Sequence, residues 1–330
     1  MFTEQSLRDH PSLVKAFMGI DADQFWQLIE QMTTQFAAYT HQQRQRAARL
    51  RAVGGGRSFD LSLIIRTAVV LTYLRLHIPQ ATVAALFVGA TQSDISRDLR
   101  RLLPLIQQHL PCPLVWEEVA ADQTATQTTQ LKLDDLADER VLVDATEQRV
   151  SRPKDYQTQK AYYSGKRHAH TLKTQVVSDG EHHLKAISVA FGGSGHDKAL
   201  SDRVQTLARL PDGCEADADK GYQGLAAQVE TVTLCDPITG EIQTVARLSV
   251  RTPFKKPKGG ELTDEQKAFN RALGAIRVRI EHCIGWLKNW AILANRFRCD
   301  HAIYTSIFRT IGGFVNVQTQ RWQAAKANCA

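Results

Sequence analysis

An all-helical amino-terminal part followed by an α/β domain is the fold class this sequence predicts, on three observations. Apolar residues recur at helical spacing up to about residue 116. Residues 117–138 are polar and rich in Thr, Gln and Asp. From 139 onward, short apolar runs bounded by Gly, Asp and Ser alternate with helical stretches, the pattern of strands interleaved with helices. A chain of 330 residues suits two or three domains. The expected division is a helical segment over 1–58, a helix-turn-helix domain over 59–116, a linker over 117–138 and an α/β domain over 139–330.

The first helical stretch covers 11–52, with Phe25, Trp26, Leu28, Ile29, Met32 and Phe36 on a helical period and Asp21 or Asp23 able to cap its start. Gly54, Gly55 and Gly56 end it, because no stable helix carries such a triple in its interior. A second pattern runs from Phe59 to His77, stops at Pro79, resumes over Gln80–Phe87, turns at Gly89 and restarts at Thr91. Thr91 and Asp94 have capping-box spacing ahead of Ile95, Leu99, Leu102 and Leu103. The second helix of this pair carries Gln92, Ser93, Ser96, Arg97 and Arg100, polar side chains suited to base edges and phosphates in a major groove. A helical bundle with a solvated basic face fits the same pattern.

In the α/β part, Val141 and Val143 alternate into Asp144, Thr171–Val177 and Leu184–Phe191 read as strands, and Ala199–Leu210 reads as a helix. Cys214–Ala218 reads as a strand ended by Gly221, and 229–252 as a hairpin turning at Pro237 and Gly240. A long helix begins near Thr263 with Leu273, Ile276, Ile280, Ile284 and Leu287 along one face. Trp286 and Trp290 lie on that stretch as packing residues.

The net charge of +7 is unevenly distributed. Residues 251–298 hold eleven basic residues against four acids, and 41–57 and 151–173 are further basic runs. Segregated positive charge is what a nucleic-acid surface requires. Six cysteines occur without a C-x-x-C pair, which argues against a disulfide framework or a zinc site. The most apolar stretch, Leu61–Leu76, is interrupted by Arg66 and Arg75 and is too short to span a bilayer. The start of the chain lacks the plan of a signal peptide, so a cytoplasmic protein with reduced thiols is expected.

Three carboxylates carry the candidate chemistry. Asp144 interrupts an apolar strand, where an unpaired buried carboxylate is costly, so it needs a partner. Strand alternation puts Glu215, Asp217 and Asp219 on one face, so Asp217 and Asp219 compete for a role beside it. Glu281 lies on the last long helix, one turn after Arg277 and two before Lys288. Two strand acids and one helix acid can hold two hard divalent cations through oxygen, Mg²⁺ or Mn²⁺, for in-line displacement at phosphorus.

The run Asp144-Ala145-Thr146-Glu147, the basic segment 162–175, Gly193-Ser194-Gly195-His196-Asp197, Asp219-Lys220-Gly221-Tyr222-Gln223-Gly224, and Arg277, Glu281 and Lys288 in R-x3-E-x6-K spacing occur in that order. Together they resemble the blocks of bacterial insertion-sequence DDE transposases, of the insertion-sequence-five superfamily with its Harbinger-related eukaryotic cousins. The likeness covers nearly the whole chain. It implies a ribonuclease H-like mixed sheet with flanking helices, and Asp144, Asp219 (rather than Asp217) and Glu281 as the catalytic, metal-binding acids. Arg277 and Lys288 match the positions flanking the glutamate and would hold DNA phosphate near the metals. This chain departs from the pattern at Gly274, where related transposases often have a tyrosine.

The same resemblance implies metal-dependent cleavage at transposon ends, strand transfer into target DNA, double-stranded DNA as partner, a homodimer on DNA and a bacterial, nucleoid-associated setting. Lys166, Arg167, His170 and Lys173, with Lys255, Lys256 and Lys258 in the loop 253–260, are the expected backbone contacts. Asp197 is expected to cap the helix that follows it, with a place beside the metals as the alternative for it and His196. A regulator that binds DNA without cutting it, and a nuclease that cuts without joining, share most of these residues.

Overall fold

The computed structural model describes residues 1–44, 60–120, 139–235 and 242–328. Arg46, Arg49, Arg51, Arg57, the glycine triple at 54–56, most of the expected linker, Pro237 and Gly240 lie outside the described residues. The first six helices are α1 (Glu4–Asp9), α2 (Pro11–Met18), α3 (Ala22–Arg44), α4 (Leu63–Leu76), α5 (Gln80–Ala85) and α6 (Gln92–Gln107). Strands β1 (Leu114–Trp116) and β2 (Arg140–Arg149) precede α7 (Tyr156–Tyr162), β3 (Tyr163–Ser164), β4 (Ala169–Asp179), β5 (Leu184–Ser188) and β6 (Phe191–Gly192). Then come α8 (Asp197–Arg203), α9 (Thr206–Arg209), β7 (Glu215–Ala218), β8 (Thr231–Cys235), β9 (Ile242–Ala246) and β10 (Ser249–Arg251). The last helices are α10 (Asp264–Lys288), α11 (Ala291–Ala294) and α12 (Tyr304–Ala327).

Two compact units form, one from Met1–Cys112 with Leu287–Val317, the other from Pro113–Trp286 with Gln318–Ala330. In the first, α4 is buried at every position from Ile65 to Leu74, so it is the central helix. Its one charged residue in that stretch, Arg66, is paired bidentately with Asp98 of α6 at 2.8 and 2.6 Å, which satisfies two charges that would otherwise be stranded in the core. Over 11–44 the expected helical stretch is two helices: Gly19, at φ 75°, ends α2, and α3 starts at Ala22, directly after Asp21, one of the two expected caps. The start of α6 follows the sequence closely. Thr91 Oγ1 accepts from Asp94 N at 3.3 Å while Asp94 Oδ2 accepts from Thr91 N at 2.9 Å. Thr91→Ala should therefore lower the stability of this unit by about 1 kcal/mol, read as a shift in denaturation midpoint without a change in slope.

Residues 304–317, outside the elements expected from the sequence, join these helices as the first part of α12. Gln107 Nε2 donates to Ser306 O and Thr310 Oγ1 at 2.9 and 2.8 Å, Asn316 Nδ2 donates to Pro111 O at 2.8 Å, and Trp290 stacks on Phe314 at 5.4 Å.

The second unit is built on a mixed sheet in the order β1-β5-β4-β2-β7-β10, with β3 and β6 pairing the first half of β4. Its β1/β5, β2/β7 and β7/β10 pairs are parallel, and β4 is antiparallel to both β5 and β2. This is the α/β class expected, a mixed sheet accompanied by helices. Two details differ from the sequence expectation. Leu114–Trp116, grouped there with the helical domain, adds a parallel edge strand to β5, burying Trp116 completely. The helix expected over Ala199–Leu210 breaks into α8 and α9 at Gln205, which takes φ 50°.

Alternation along β2 sets the direction in which Asp144 points. Val141 and Val143 enter one core with Val177, Ala216, Ala218, Leu200 and Val204, so Leu142 and Asp144 point to the opposite face. On α10 the buried residues Leu273, Arg277, Ile280, Cys283 and Leu287 make one stripe, as the apolar spacing requires. Among the described residues no helix is long and apolar enough to cross a membrane.

Candidate active site

Parallel register brings two of the sequence-selected acids together. Val143 of β2 is opposite Ala218 of β7, so the next residues, Asp144 and Asp219, leave adjacent strands at the same level and on the same face. Arg277 enters from α10 and bridges them, with Nη2 3.1 Å from Asp144 Oδ2 and Nη1 3.2 Å from Asp219 Oδ1. The arginine is 7% exposed and its Nε has no hydrogen-bond partner among the described residues. A delocalised, permanently charged fork suits this place, since it neutralises two carboxylates at once.

The Asp144 side chain is largely buried, at 17% exposed. Desolvation pushes its carboxyl up to about 6, against the lowering effects of the Ala145 N–H and Arg277, while Asp219 and Asp197 add to the rise. The Ala145 N–H donates to Asp144 Oδ1 at 2.7 Å, which holds the carboxylate in place. Asp219 is more open, with its side chain 37% exposed.

Hydrogen bonding distinguishes Asp217 from Asp219. Asp217 is completely buried and accepts two bonds from Arg251, Nε and Nη2, at 2.7 Å each, with Arg140 Nε at 3.6 Å. Its oxygens are committed to holding β10 against β7.

Glu281 lies one turn beyond Arg277 and is exposed. It does not converge with Asp144 and Asp219; among the described residues no three His, Cys, Asp or Glu side chains form a ready metal cradle. What the acid pair does hold is the guanidinium of Arg277, a cation standing where positive charge is required. Two carboxylates converging on one cation, with only oxygen donors, fit a hard divalent ion. Gly274, where a Cβ would meet nothing within 4 Å, lies two turns before Glu281 and leaves that side of α10 open. Lys288 is the last residue of α10 and is counted with the other compact unit.

The cations expected at DNA divide. Lys166 and Arg167 are exposed in the turn between β3 and β4, and His170, half-buried, sets its ring 5.6 Å from that of Tyr163. Lys255, Lys256 and Lys258 are exposed, with Lys256 paired to Glu261. Lys173 differs from the expectation. It is buried, and its Nζ donates to Gly195 O at 2.7 Å and Asp197 Oδ1 at 3.0 Å, and lies 3.3 Å from Glu147 Oε1. Register explains this: Lys173 is opposite Glu147 and points into the sheet's inner face, so its charge serves internal acids and not a phosphate. Asp197 is also corrected, since His196 and not Asp197 occupies the N-cap of α8 and no side chain caps it. On α6, Gln92, Ser93, Ser96, Arg97 and Arg100 are all exposed, Arg97 reaching back to Asp94 at 2.9 Å and Arg100 pairing with Asp300 at 2.8 Å. Sequence reasoning passed over Tyr222, a fully buried phenol that feels the charge of these acids, although it lies within the Asp219–Gly224 motif.

A family model described as DDE superfamily endonuclease matches residues 143–316. The chain is 34% identical over 180 residues to the probable transposase for insertion sequence element IS702 of Microchaete diplosiphon, a stretch covering 54% of this chain and 56% of that protein. The chain thus spans little more than half the length of this curated relative. No solved structure matches it. Since the family match begins one residue before Asp144, takes in Asp219, Arg277 and Glu281, and covers more than half of the chain, the protein belongs to the DDE superfamily endonucleases.

Proposed function

We propose that this protein is a DNA transposase that cuts at the ends of its element and joins the freed 3′-hydroxyl to target DNA, with Asp144 and Asp219 as the acids around which two divalent cations, Mg²⁺ or Mn²⁺, are held and Glu281, which stands apart from that pair in the metal-free protein, as the third acid that joins them when metal and DNA bind. The observation that carries this reading is the in-register pair of Asp144 and Asp219, bridged by a cation from the helix that bears Glu281. The similarity to an insertion-sequence transposase and the ordered motifs support it, and they favour a place in the insertion-sequence-five superfamily and a ribonuclease H-like description of the sheet.

Bound at these acids, the cations supply Lewis acidity toward the attacking and leaving oxygens. The protein's own part is electrostatic. Arg277 balances the charge of the acid pair, and its fork geometry suits it equally to a phosphate when DNA brings one, so DNA binding and release of the carboxylates are linked through one side chain. Lys288 assists at phosphate. Lys166, Arg167, His170, Lys255, Lys256 and Lys258 contact the DNA backbone, and α5, the Gly89 turn and α6 act as the helix-turn-helix reader through Gln92, Ser93, Ser96, Arg97 and Arg100. Two element ends call for a homodimer on DNA.

The test uses a duplex ending in the element's own terminus. Incubation with Mg²⁺ is expected to give cleavage followed by joined products, both absent in chelator. Cleavage without joining would identify a nuclease; sequence-specific binding with neither product would identify a regulator.

A further inference from the structure

Tyr222 is completely buried, yet its hydroxyl has no hydrogen-bond partner among the described residues. Burying an unpaired hydroxyl forfeits its bonds to water, so a tyrosine in place of phenylalanine requires a reason. Its ring packs in the apolar core with Val143, Ala216, Ala218 and Leu225. Its polar end is different. Burial raises the phenol well above its ordinary range, and the negative charges of Asp197, Asp144 and Asp219 raise it further, against Arg277. The hydroxyl is therefore a neutral, unpaired donor within the field of three carboxylates.

Asp197 completes the arrangement. Lys173 occupies its Oδ1 at 3.0 Å, which neutralises the carboxylate and makes it a poor direct ligand for a metal. Its Oδ2 lies against Gly221, where any Cβ would collide with it. Glycine at 221 is thus what lets this carboxylate come up against the turn joining Asp219 to Tyr222. The result is an unpaired buried donor and a carboxylate that meet at the turn beginning at Asp219, whose carbonyl accepts from Tyr222 N at 2.9 Å.

We propose that Tyr222 and Asp197 form an outer-sphere subsite for a hydrated divalent cation, hydrogen-bonding the water that such an ion carries when held at Asp144 and Asp219. This rests on the metal-holding role proposed for those two acids. The chemistry matches the ion: Mg²⁺ loses its water reluctantly and keeps several water ligands, which need acceptors and donors of their own. It also gives the unpaired phenol a partner that comes with the metal. Loss of a group of this outer kind typically costs about 10–100-fold in metal affinity.

The experiment compares the full-length protein with Tyr222→Phe and Asp144→Asn, titrating Mn²⁺ while following the free ion by electron paramagnetic resonance, and measuring urea unfolding in chelator. Tyr222→Phe is expected to be as stable as the parent or more so in chelator, while its Mn²⁺ affinity falls roughly tenfold. Unchanged affinity, or a loss of stability that reveals a structural hydrogen bond, overturns the subsite and leaves the acid pair standing. Mn²⁺ binding that survives in Asp144→Asn overturns the acid pair itself, and the subsite with it.

Discussion

Asp144→Asn is expected to abolish cleavage and, at the same time, to stabilise the metal-free protein at neutral pH. The loss of activity should be at least about 10³-fold, because an amide cannot take the place of a carboxylate at a divalent ion and a deficit of about 4 kcal/mol in the transition state has that effect. The stability change has the opposite sign for an electrostatic reason. Burial lifts the Asp144 carboxyl to about 6, so the folded protein retains this proton over a range where the unfolded chain, with a carboxyl near 4, has lost it. The folded state binds more protons across that window, and stability therefore falls as pH rises from about 4 to 6. Above the window the full cost of an ionised buried carboxylate is present, on the order of 2–3 kcal/mol. Asparagine resembles the protonated acid, so the variant should lack this dependence. Thermal unfolding in chelator at pH 5 and pH 8 measures it: the parent should lose more stability between the two than Asp144→Asn does. Equal slopes would show that Asp144 is solvated and not held as described.

Two residues apart, one within β7 and one just past its end, neighbouring aspartates are expected to give opposite results. Asp217→Asn should destabilise the fold by about 3 kcal/mol, since it removes one charge of a buried pair and leaves Arg251 and Arg140 sharing Glu215 alone. Asp219→Asn should change stability little, because its carboxylate is more than a third exposed, yet remove cleavage as completely as Asp144→Asn. Chemical denaturation of both variants, paired with a cleavage assay on protein shown to be folded, separates them. A stable but inactive Asp217→Asn beside an active Asp219→Asn would exchange their roles and sink the assignment of Asp219 to the metals.

Much of the fold is legible in the sequence. The Thr91 capping box, the stop at Pro79, the strand leading into Asp144 and the apolar stripe of α10 are local patterns, and each appears where the spacing puts it. Breaks inside helical stretches are less legible. The bend at Gln205 needs a left-handed backbone in a residue with no propensity for it, so it comes from packing and not from local preference. Helix α12 is itself legible, since Tyr304, Ile307, Phe308, Ile311, Phe314 and Val315 recur at helical spacing, but what that stripe packs against is set by tertiary structure.

For the site, residue types and order were enough to nominate Asp144, Asp219, Arg277 and Glu281, since an acid in an apolar strand and a family pattern are both properties of sequence, and the structure brings the first three together. Which acids face one another is not. That Asp219 meets Asp144 follows from one register, Val143 opposite Ala218, and that Asp217 does not follows from Arg251 arriving on a strand whose pairing no local pattern specified. The burial of Lys173 has the same origin: opposite Glu147, a lysine that reads as a surface cation becomes an internal counter-charge. Sequence by itself determined which groups are available and on which kind of element they stand. Tertiary structure alone decided their pairing, because strand register and burial set the distances and the dielectric on which every charge here depends.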